Sequence, residues 1–143
     1  MNKQDRIKIV ISATVKSPID RVWNLWTKPV HIMHWNFASA DWHTTHAETD
    51  LRKGGRFLSR MEAKDGSFGF DFSGQYTKIE LNKCIEYTLD DKRVVEVLFN
   101  SEGNNTIITE TFEAEQENSA ELQKTGWQAI LDNFKNYAET TID

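Results

Sequence analysis

The segment of sequence that decides the fold is residues 118–138, which read NSAELQKTGWQAILDNFKNYA. From Leu122 onward, apolar side chains recur at spacings of three and four, the period of a helix with one apolar face. Gly126 lies inside this pattern, and a helical glycine costs about 1 kcal/mol relative to alanine. We therefore expect a long amphipathic helix, with another backbone or a bulky ring close to Gly126.

Strand-like segments precede this helix along the chain. In residues 6–15, apolar and polar positions alternate, which predicts a strand with one buried face. Residues 44–112 repeat that pattern six times, with short glycine-containing turns between the repeats. The clearest strand is residues 68–76, whose alternating positions are Phe68, Phe70, Phe72, Gly74 and Tyr76. Together these segments predict a seven-stranded antiparallel meander.

Two short helices are expected between the first and second strands. Ser17 suits the N-cap of the first helix, and Pro18 suits its first helical position. Pro29 ends that helix and can begin the second one. The long final helix is expected to be capped by Asn118 or Ser119, whose side-chain oxygens can accept hydrogen bonds from free backbone N–H groups.

An antiparallel sheet of seven strands has to bury one of its faces. The final helix is the only predicted element that is long and apolar enough to cover that face. A curved sheet around one helix leaves space between them, which is either filled by aromatic side chains or forms a pocket. We therefore predict an α+β fold, with the curved sheet wrapped around a long C-terminal helix, as a single domain over residues 1–143.

Four segments of the chain are specific in combination. They are residues 17–27 with Pro29 and Trp35, residues 50–57, residues 74–76 and residues 126–134. Their order resembles the helix-grip fold of the START-like superfamily, also called SRPBCC. Within it, the chain is similar to the group named after the C-terminal domain of the activator of the ninety-kilodalton heat-shock protein ATPase. The resemblance implies a fold more strongly than an activity, since such relatives include lipid carriers, hormone-binding proteins, polyketide cyclases and chaperone activators.

Composition argues against several classes of protein. The chain has 143 residues and a formal net charge of −5, and residues 67–143 hold 6 basic against 15 acidic side chains. An acidic chain without a basic run is a poor candidate for binding nucleic acid, and no apolar run approaches the roughly 18 residues of a membrane span. The polar start predicts no signal peptide, and the lone Cys84 excludes an internal disulfide. We expect a cytoplasmic protein that binds neither nucleic acid nor membrane.

Aromatic residues make up 11% of the chain, a feature consistent with core packing or with an aromatic-walled pocket. We expect a ligand-binding pocket between the sheet and the final helix. The apolar side chains expected to line it are Trp35, Trp42, Phe70, Phe72, Tyr76, Trp127 and Ile130. The expected ligand is a small apolar or aromatic molecule.

Charged side chains inside the predicted strands are candidates for a polar end of this pocket. They are Arg60, Glu62, Asp71, Glu96 and Glu110. Glu110 shares a face with Ile108 and Phe112, which predicts an inward carboxyl group, and Arg60 is its expected partner. The alternative is that these residues form ion pairs on the outer face. The alternation of apolar and polar positions allows either arrangement, because a single β-bulge exchanges the inward and outward faces of a strand.

Four histidines lie within sixteen residues, at His31, His34, His43 and His46. Their spacing matches no familiar metal-binding motif, so we expect no metal ion, and the resemblance implies none. His43 is expected in a loop at the pocket mouth, where it is a candidate for proton transfer or for a hydrogen bond to the ligand. A surface histidine without a function is the alternative.

Three functions fit these features. The first is a binding protein that holds a small apolar or aromatic ligand, without a cofactor, as a monomer or a homodimer. The second, implied by the resemblance, is a co-chaperone-like protein that docks on a heat-shock chaperone and adjusts its ATPase cycle. The third is a cyclase or hydrolase that uses His43 with a cavity carboxyl group such as Glu110. No nucleophile can be nominated, because Cys84 lacks an activating neighbour in the sequence and no Gly-x-Ser-x-Gly elbow occurs; we therefore expect binding rather than catalysis.

Overall fold

The computed structural model describes residues 6–141. In this part of the chain, seven strands and three helices follow one another. Their bounds are β1 (Lys8–Val15), α1 (Ile19–Thr27), α2 (Pro29–Trp35), β2 (Trp42–Thr49), β3 (Arg56–Ala63), β4 (Gly69–Glu80), β5 (Cys84–Leu89), β6 (Val94–Glu102), β7 (Asn105–Glu113) and α3 (Ala120–Thr140). None of the helices within the described residues is long and apolar enough to cross a membrane.

The seven strands form one antiparallel sheet in the order β1-β7-β6-β5-β4-β3-β2. From β2 to β7, each strand pairs with the next one along the chain, and β1 joins the sheet beside β7. The pairing register shifts between Thr44 and His46 and again between Tyr76 and Lys78. Such bulges bend a strand and strengthen its twist. The predicted α+β fold, a curved antiparallel sheet with a long C-terminal helix packed on it, is confirmed.

Two strands approach each other very closely at Gly74. A Cβ atom at this position would lie 2.4 Å from the carbonyl oxygen of Thr88 in β5. A side chain would therefore have to displace the backbone of the neighbouring strand, and only glycine fits here without strain.

The first turn of α3 is held by side-chain hydrogen bonds. Ser119 Oγ accepts from the backbone N–H of Leu122 at 3.0 Å, which makes Ser119 the cap among the two predicted candidates. The sequence predicts that Leu122 begins the apolar stripe, but Leu122 is 60% exposed and Gln123 is buried instead. The amide group of Gln123 bonds to the backbone of Glu115 and Asn118. These bonds turn Gln123 inward, so the residue before it faces solvent.

Gly126 does not have the close neighbour that the sequence predicts. Apart from its chain neighbours and the nearby helix backbone, no atom lies within 4 Å of the position that a Cβ would take. The prediction is wrong because this side of α3 faces open space rather than a packed ring or backbone.

Arg21 ties α1 to the carboxyl end of α3. Its guanidinium group donates to the carbonyl oxygens of Ala138, at 2.6 Å, and of Thr141. It also donates to Ser17 Oγ at 3.1 Å. The sequence predicts Ser17 as the N-cap of α1, whereas Pro18 occupies that position and no side chain caps the helix. The Ser17 hydroxyl instead supports the contact between the two helices.

Aromatic rings fill the interior beneath α1 and α2. The rings of Trp26, Trp35 and Phe134 contact one another, with centroid distances of 4.8, 4.8 and 4.9 Å. Trp35 Nε1 donates to the carbonyl oxygen of Leu25 at 2.9 Å, which satisfies its buried N–H group. Packed side chains therefore fill this end of the interior.

Gly126→Ala should stabilise the protein by about 1 kcal/mol, because alanine restricts the unfolded chain and raises helix propensity without a clash. Urea unfolding followed by circular dichroism measures the change. Gly74→Ala is the contrasting variant and should destabilise by roughly 1–3 kcal/mol, because its Cβ meets the backbone of β5. Similar losses of stability in both variants would contradict the open space beside Gly126.

Candidate ligand-binding site

A cavity of about 290 Å³ lies between the inner face of the sheet and α3. The short helices close one end of it with Trp26, Ile32 and Trp35, and α3 contributes Trp127 and Ile130. The remaining walls come mainly from inward side chains of β3, β4, β5 and β7. This volume is near the lower limit of small-molecule sites in proteins, about 300 Å³.

Aromatic side chains from neighbouring strands meet on the cavity wall. The ring of Phe57 in β3 lies 5.2 Å from that of Tyr76 in β4 and 4.8 Å from that of Tyr87 in β5, measured between centroids. Phe72 in β4 lies 6.1 Å from Trp127 in α3. Each strand residue occupies an inward position, because successive side chains in a strand alternate between the two faces. The rings therefore form a continuous wall that joins the sheet to the helix.

Most of the residues predicted from the sequence to bind a ligand line this cavity. They are Trp35, Phe70, Phe72, Tyr76, Glu110, Trp127 and Ile130. The alternation along residues 68–76 was sufficient to group three of them on one face. That these side chains contact a ligand stays a prediction.

Trp42 and His43, which the sequence also predicts at the ligand site, do not line the cavity. Trp42 packs against Phe68 and Phe70, with centroid distances of 6.0 and 5.9 Å, and it is not among the residues that line the cavity. His43 pairs across the sheet with Glu62, on the face that points away from α3. The predicted mouth loop is in fact the start of β2, so strand geometry sends His43 outward. His43 and the Glu110 carboxyl group therefore lie on opposite faces of the sheet, and the expected combination of His43 with a cavity carboxyl group is not formed.

Arg60 also lies on the outer face of the sheet. Its two neighbours in β3 line the cavity, so Arg60 points away from it. Its guanidinium nitrogens lie 3.0 Å from a carboxylate oxygen of Glu62 and 3.4 Å from one of Asp71. These are the outward-facing ion pairs that alternation left open. The expected pair between Arg60 and Glu110 is therefore not formed.

Glu110 extends from β7 into the interior. It is 6% exposed, and its neighbours across the sheet are the buried Ile11 and Val97. Within residues 6–141, its carboxyl group has no hydrogen-bond or ion-pair partner. Burial raises the pKa of Glu110 to about 8, because an apolar environment disfavours the charged form. The group is therefore mostly protonated at neutral pH.

Several lining residues were missed by sequence reasoning. Arg93, which precedes β6, lines the cavity, and its Nε donates to Asp91 Oδ2 at 2.8 Å. Glu115 and Gln123 line it near the start of α3. Tyr87 could have been found, since it occupies a regular inward position in β5. Arg93 could also have been found, since it directly precedes β6 and is in phase with the buried Val95 and Val97.

The four histidines do not converge. His31 Nδ1 lies 2.7 Å from the hydroxyl oxygen of Tyr137, and His34 stacks on the same tyrosine ring. His46 pairs with Glu48 at 2.6 Å on the surface. In the part of the chain that the structure describes, no group of three or more His, Cys, Asp or Glu side chains is arranged to hold a metal ion.

Comparison with known proteins gives this fold a family. The family model described as "Activator of Hsp90 ATPase homolog 1-like protein" matches residues 16–139. The chain belongs to this family. No curated protein matches the chain.

Solved structures of similar chains share the architecture. The AHSA1-like protein from Aeromonas hydrophila, solved by NMR in solution, is 45% identical over 96% of this chain and 99% of that chain, with a TM-score of 0.87. A protein from Cytophaga hutchinsonii is 48% identical over 92% of each chain, with a TM-score of 0.81. A protein from Chromobacterium violaceum is 18% identical over 94% of this chain and 99% of that chain, with a TM-score of 0.81, and shows the fold alone. The predicted resemblance to the Hsp90-activator group of START-like proteins is confirmed.

Ionisation of Glu110 should destabilise this AHSA1-like fold as the pH rises. The carboxyl group has a pKa of 4.5 when solvated and about 8 in the folded protein, so the folded state retains a proton that the unfolded state has lost. The stabilisation is complete below pH 4.5 and is lost as the pH rises through 8. In urea unfolding, Glu110→Gln should gain stability relative to the wild type by about 1 kcal/mol per pH unit from roughly pH 5 to 8.

Glu96→Gln is the matched control for this experiment. It removes the same charge from the neighbouring strand, but Glu96 pairs with Glu86 and Thr111 on the outer face. Its stability should follow the wild type across the pH range. If the free energies of unfolding of Glu110→Gln and of the wild type change in parallel with pH, the Glu110 carboxyl group is solvated.

Proposed function

We propose that this protein binds a small ligand with an apolar or aromatic body in the cavity between the sheet and α3. The observation that carries the proposal is the cavity itself, about 290 Å³, in a region that close packing normally fills. Mainly apolar walls with a few polar groups are typical of small-molecule sites. Here those polar groups include a buried carboxyl group, Glu110.

Contacts within the protein hold side chains of the cavity wall in position. The Tyr76 hydroxyl and Thr49 Oγ1 share a hydrogen bond of 2.6 Å. Trp127 lies flat on Phe112, with 3.9 Å between ring centroids. Ordering of side chains is one of the main costs of association. Walls that are already ordered keep this cost small, which supports a binding function.

The chemistry of the lining favours binding over catalysis. Among the described residues that line the cavity, there is no histidine, cysteine or lysine. Thr27 and Ser59 have aliphatic hydroxyl groups there. Thr27 Oγ1 donates to the carbonyl oxygen of Trp23 at 2.7 Å, and Ser59 has no histidine or lysine in the lining to activate it. The proposed role is therefore to hold a molecule rather than to activate a nucleophile.

Binding of N-phenyl-1-naphthylamine, an uncharged dye that fluoresces in apolar surroundings, tests this function. We expect saturable one-to-one binding to the wild type. Ile130→Trp fills the cavity from α3 and should weaken binding at least about tenfold by removing the space for the dye. Fluorescence titration measures both affinities.

Leu122→Trp is the matched control, because Leu122 lies on the same helix but is 60% exposed. This variant should bind the dye like the wild type. The proposal fails if the wild type shows no saturable binding, or if Ile130→Trp, folded by circular dichroism, binds the dye as tightly as the wild type.

We propose interaction with an Hsp90-type chaperone as a second function, because the description of the matched family names an activator of that ATPase. Adding the protein to a purified Hsp90-type chaperone should raise the rate of ATP hydrolysis in a saturable way. Ile130→Trp should raise it equally if the two functions use different surfaces. An unchanged rate, with no complex on gel filtration, would contradict this second function.

A further inference from the structure

We propose that the ligand of this cavity is an organic cation, an amine with a small apolar or aromatic body, whose ammonium group binds between Glu110 and the rings of Phe72, Tyr87 and Trp127. The inference rests on the proposed ligand-binding function and adds the chemical class of the ligand. It depends on three features of the described residues: an unpartnered acid, the arrangement of the rings and the balance of charge.

The first feature is the isolation of the Glu110 carboxyl group. It is 6% exposed and lines the cavity, between strands that present Ile11 and Val97 beside it. No lysine, arginine or histidine within residues 6–141 forms an ion pair with it. A buried carboxyl group is normally paired with a cation or hydrogen-bonded. A ligand that brings its own cation supplies the missing partner.

The second feature is a set of three rings, those of Phe72, Tyr87 and Trp127, that line the same cavity as this acid. Phe72 meets Trp127 at 6.1 Å and 73°, and it meets Tyr87 at 6.4 Å and 87°. The three rings therefore stand at steep angles and form walls of different orientation. Trp127 stacks on Phe112, which follows Glu110 by two residues on the same face of β7. Aromatic walls of this kind are the usual receptors for ammonium groups, because the ring faces carry negative potential.

The third feature is the balance of charge along the lining. Besides Glu110, the charged residues that line the cavity are Arg93 and Glu115. Nε of the Arg93 guanidinium group already pairs with a carboxylate oxygen of Asp91. An anionic ligand would therefore meet two carboxyl groups and one cation that already has a partner. A cationic ligand would instead pair with the acid that has none.

Ammonium binding requires the Glu110 carboxyl group to lose its proton. Because burial raises the pKa of Glu110 to about 8, amine affinity should increase about 50-fold from roughly pH 6 to 8 and then level off. Three other titratable groups that line the cavity have pKa values shifted away from this window. Burial raises the pKa of Tyr76 and of Tyr87, and hydrogen bonds from Asn118 lower the pKa of Glu115. The facing residues of β1, β6 and α3, namely Ile11, Val97, Trp127 and Ile130, are not titratable.

Three indoles that carry their polar group on the same ethylene spacer separate charge from shape: tryptamine is cationic, tryptophol is neutral and indole-3-propionate is anionic. Isothermal titration calorimetry at pH 8 should give tryptamine at least about tenfold higher affinity than tryptophol, with indole-3-propionate weakest. Titrations at pH 7 in two buffers of different ionisation enthalpy should show release of close to one proton per tryptamine bound. This second measurement needs no variant.

Glu110→Gln, checked for folding by urea unfolding, should remove both the preference for tryptamine and its pH dependence while tryptophol still binds. Glu96→Gln makes the same change in net charge on the outer face of the sheet and should behave like the wild type. The cation assignment is overturned if the wild type binds tryptophol or indole-3-propionate as tightly as tryptamine. It is also overturned if N-phenyl-1-naphthylamine binds and tryptamine does not, an outcome that leaves the proposed function intact. If neither the dye nor any of the three indoles binds, both the cation assignment and the proposed ligand-binding function are contradicted.

Discussion

The stack of Trp127 on Phe112, with 3.9 Å between ring centroids and 7° between ring planes, sets the distance between α3 and the sheet at one end of the cavity. Further along the helix, Phe134 is wedged among the tryptophans of α1 and α2. Ile130, which lies between these two contacts, lines the cavity without filling it. Because large rings hold the helix off the sheet on both sides, close packing cannot collapse the space between them.

Hydrogen bonds at both ends of α3 maintain this separation. Gln123 joins the first turn to the loop before it, and Arg21 holds the last carbonyl groups against α1. Between these ends, Asn133 Nδ2 donates to the carbonyl oxygen of Trp35 at 2.9 Å. The helix therefore has a defined position along and above the sheet, and the cavity walls follow from it.

Two polar residues on the inner face of β7 differ in a way that bears on function. Thr106 is fully buried, and its Oγ1 donates to the carbonyl oxygen of Ser17 at 2.9 Å, so its polarity serves the fold. Glu110, four residues later on the same face, has no such partner among the described residues. Buried acids normally have a partner within the protein. Exceptions to this rule are common at functional sites.

By itself, the sequence determined which segments are strands and which are helices, because alternation and three–four spacing are local properties of the chain. It also grouped Phe70, Phe72 and Tyr76 on one face, since they belong to one regular strand. Only the tertiary structure decided that Arg60 lies outside the cavity, that Gln123 turns inward in place of its neighbour, and that the rings line a space rather than fill it. Those outcomes depend on where a strand begins, on hydrogen bonds to loops and on distances between segments far apart in the chain, none of which a periodic pattern records.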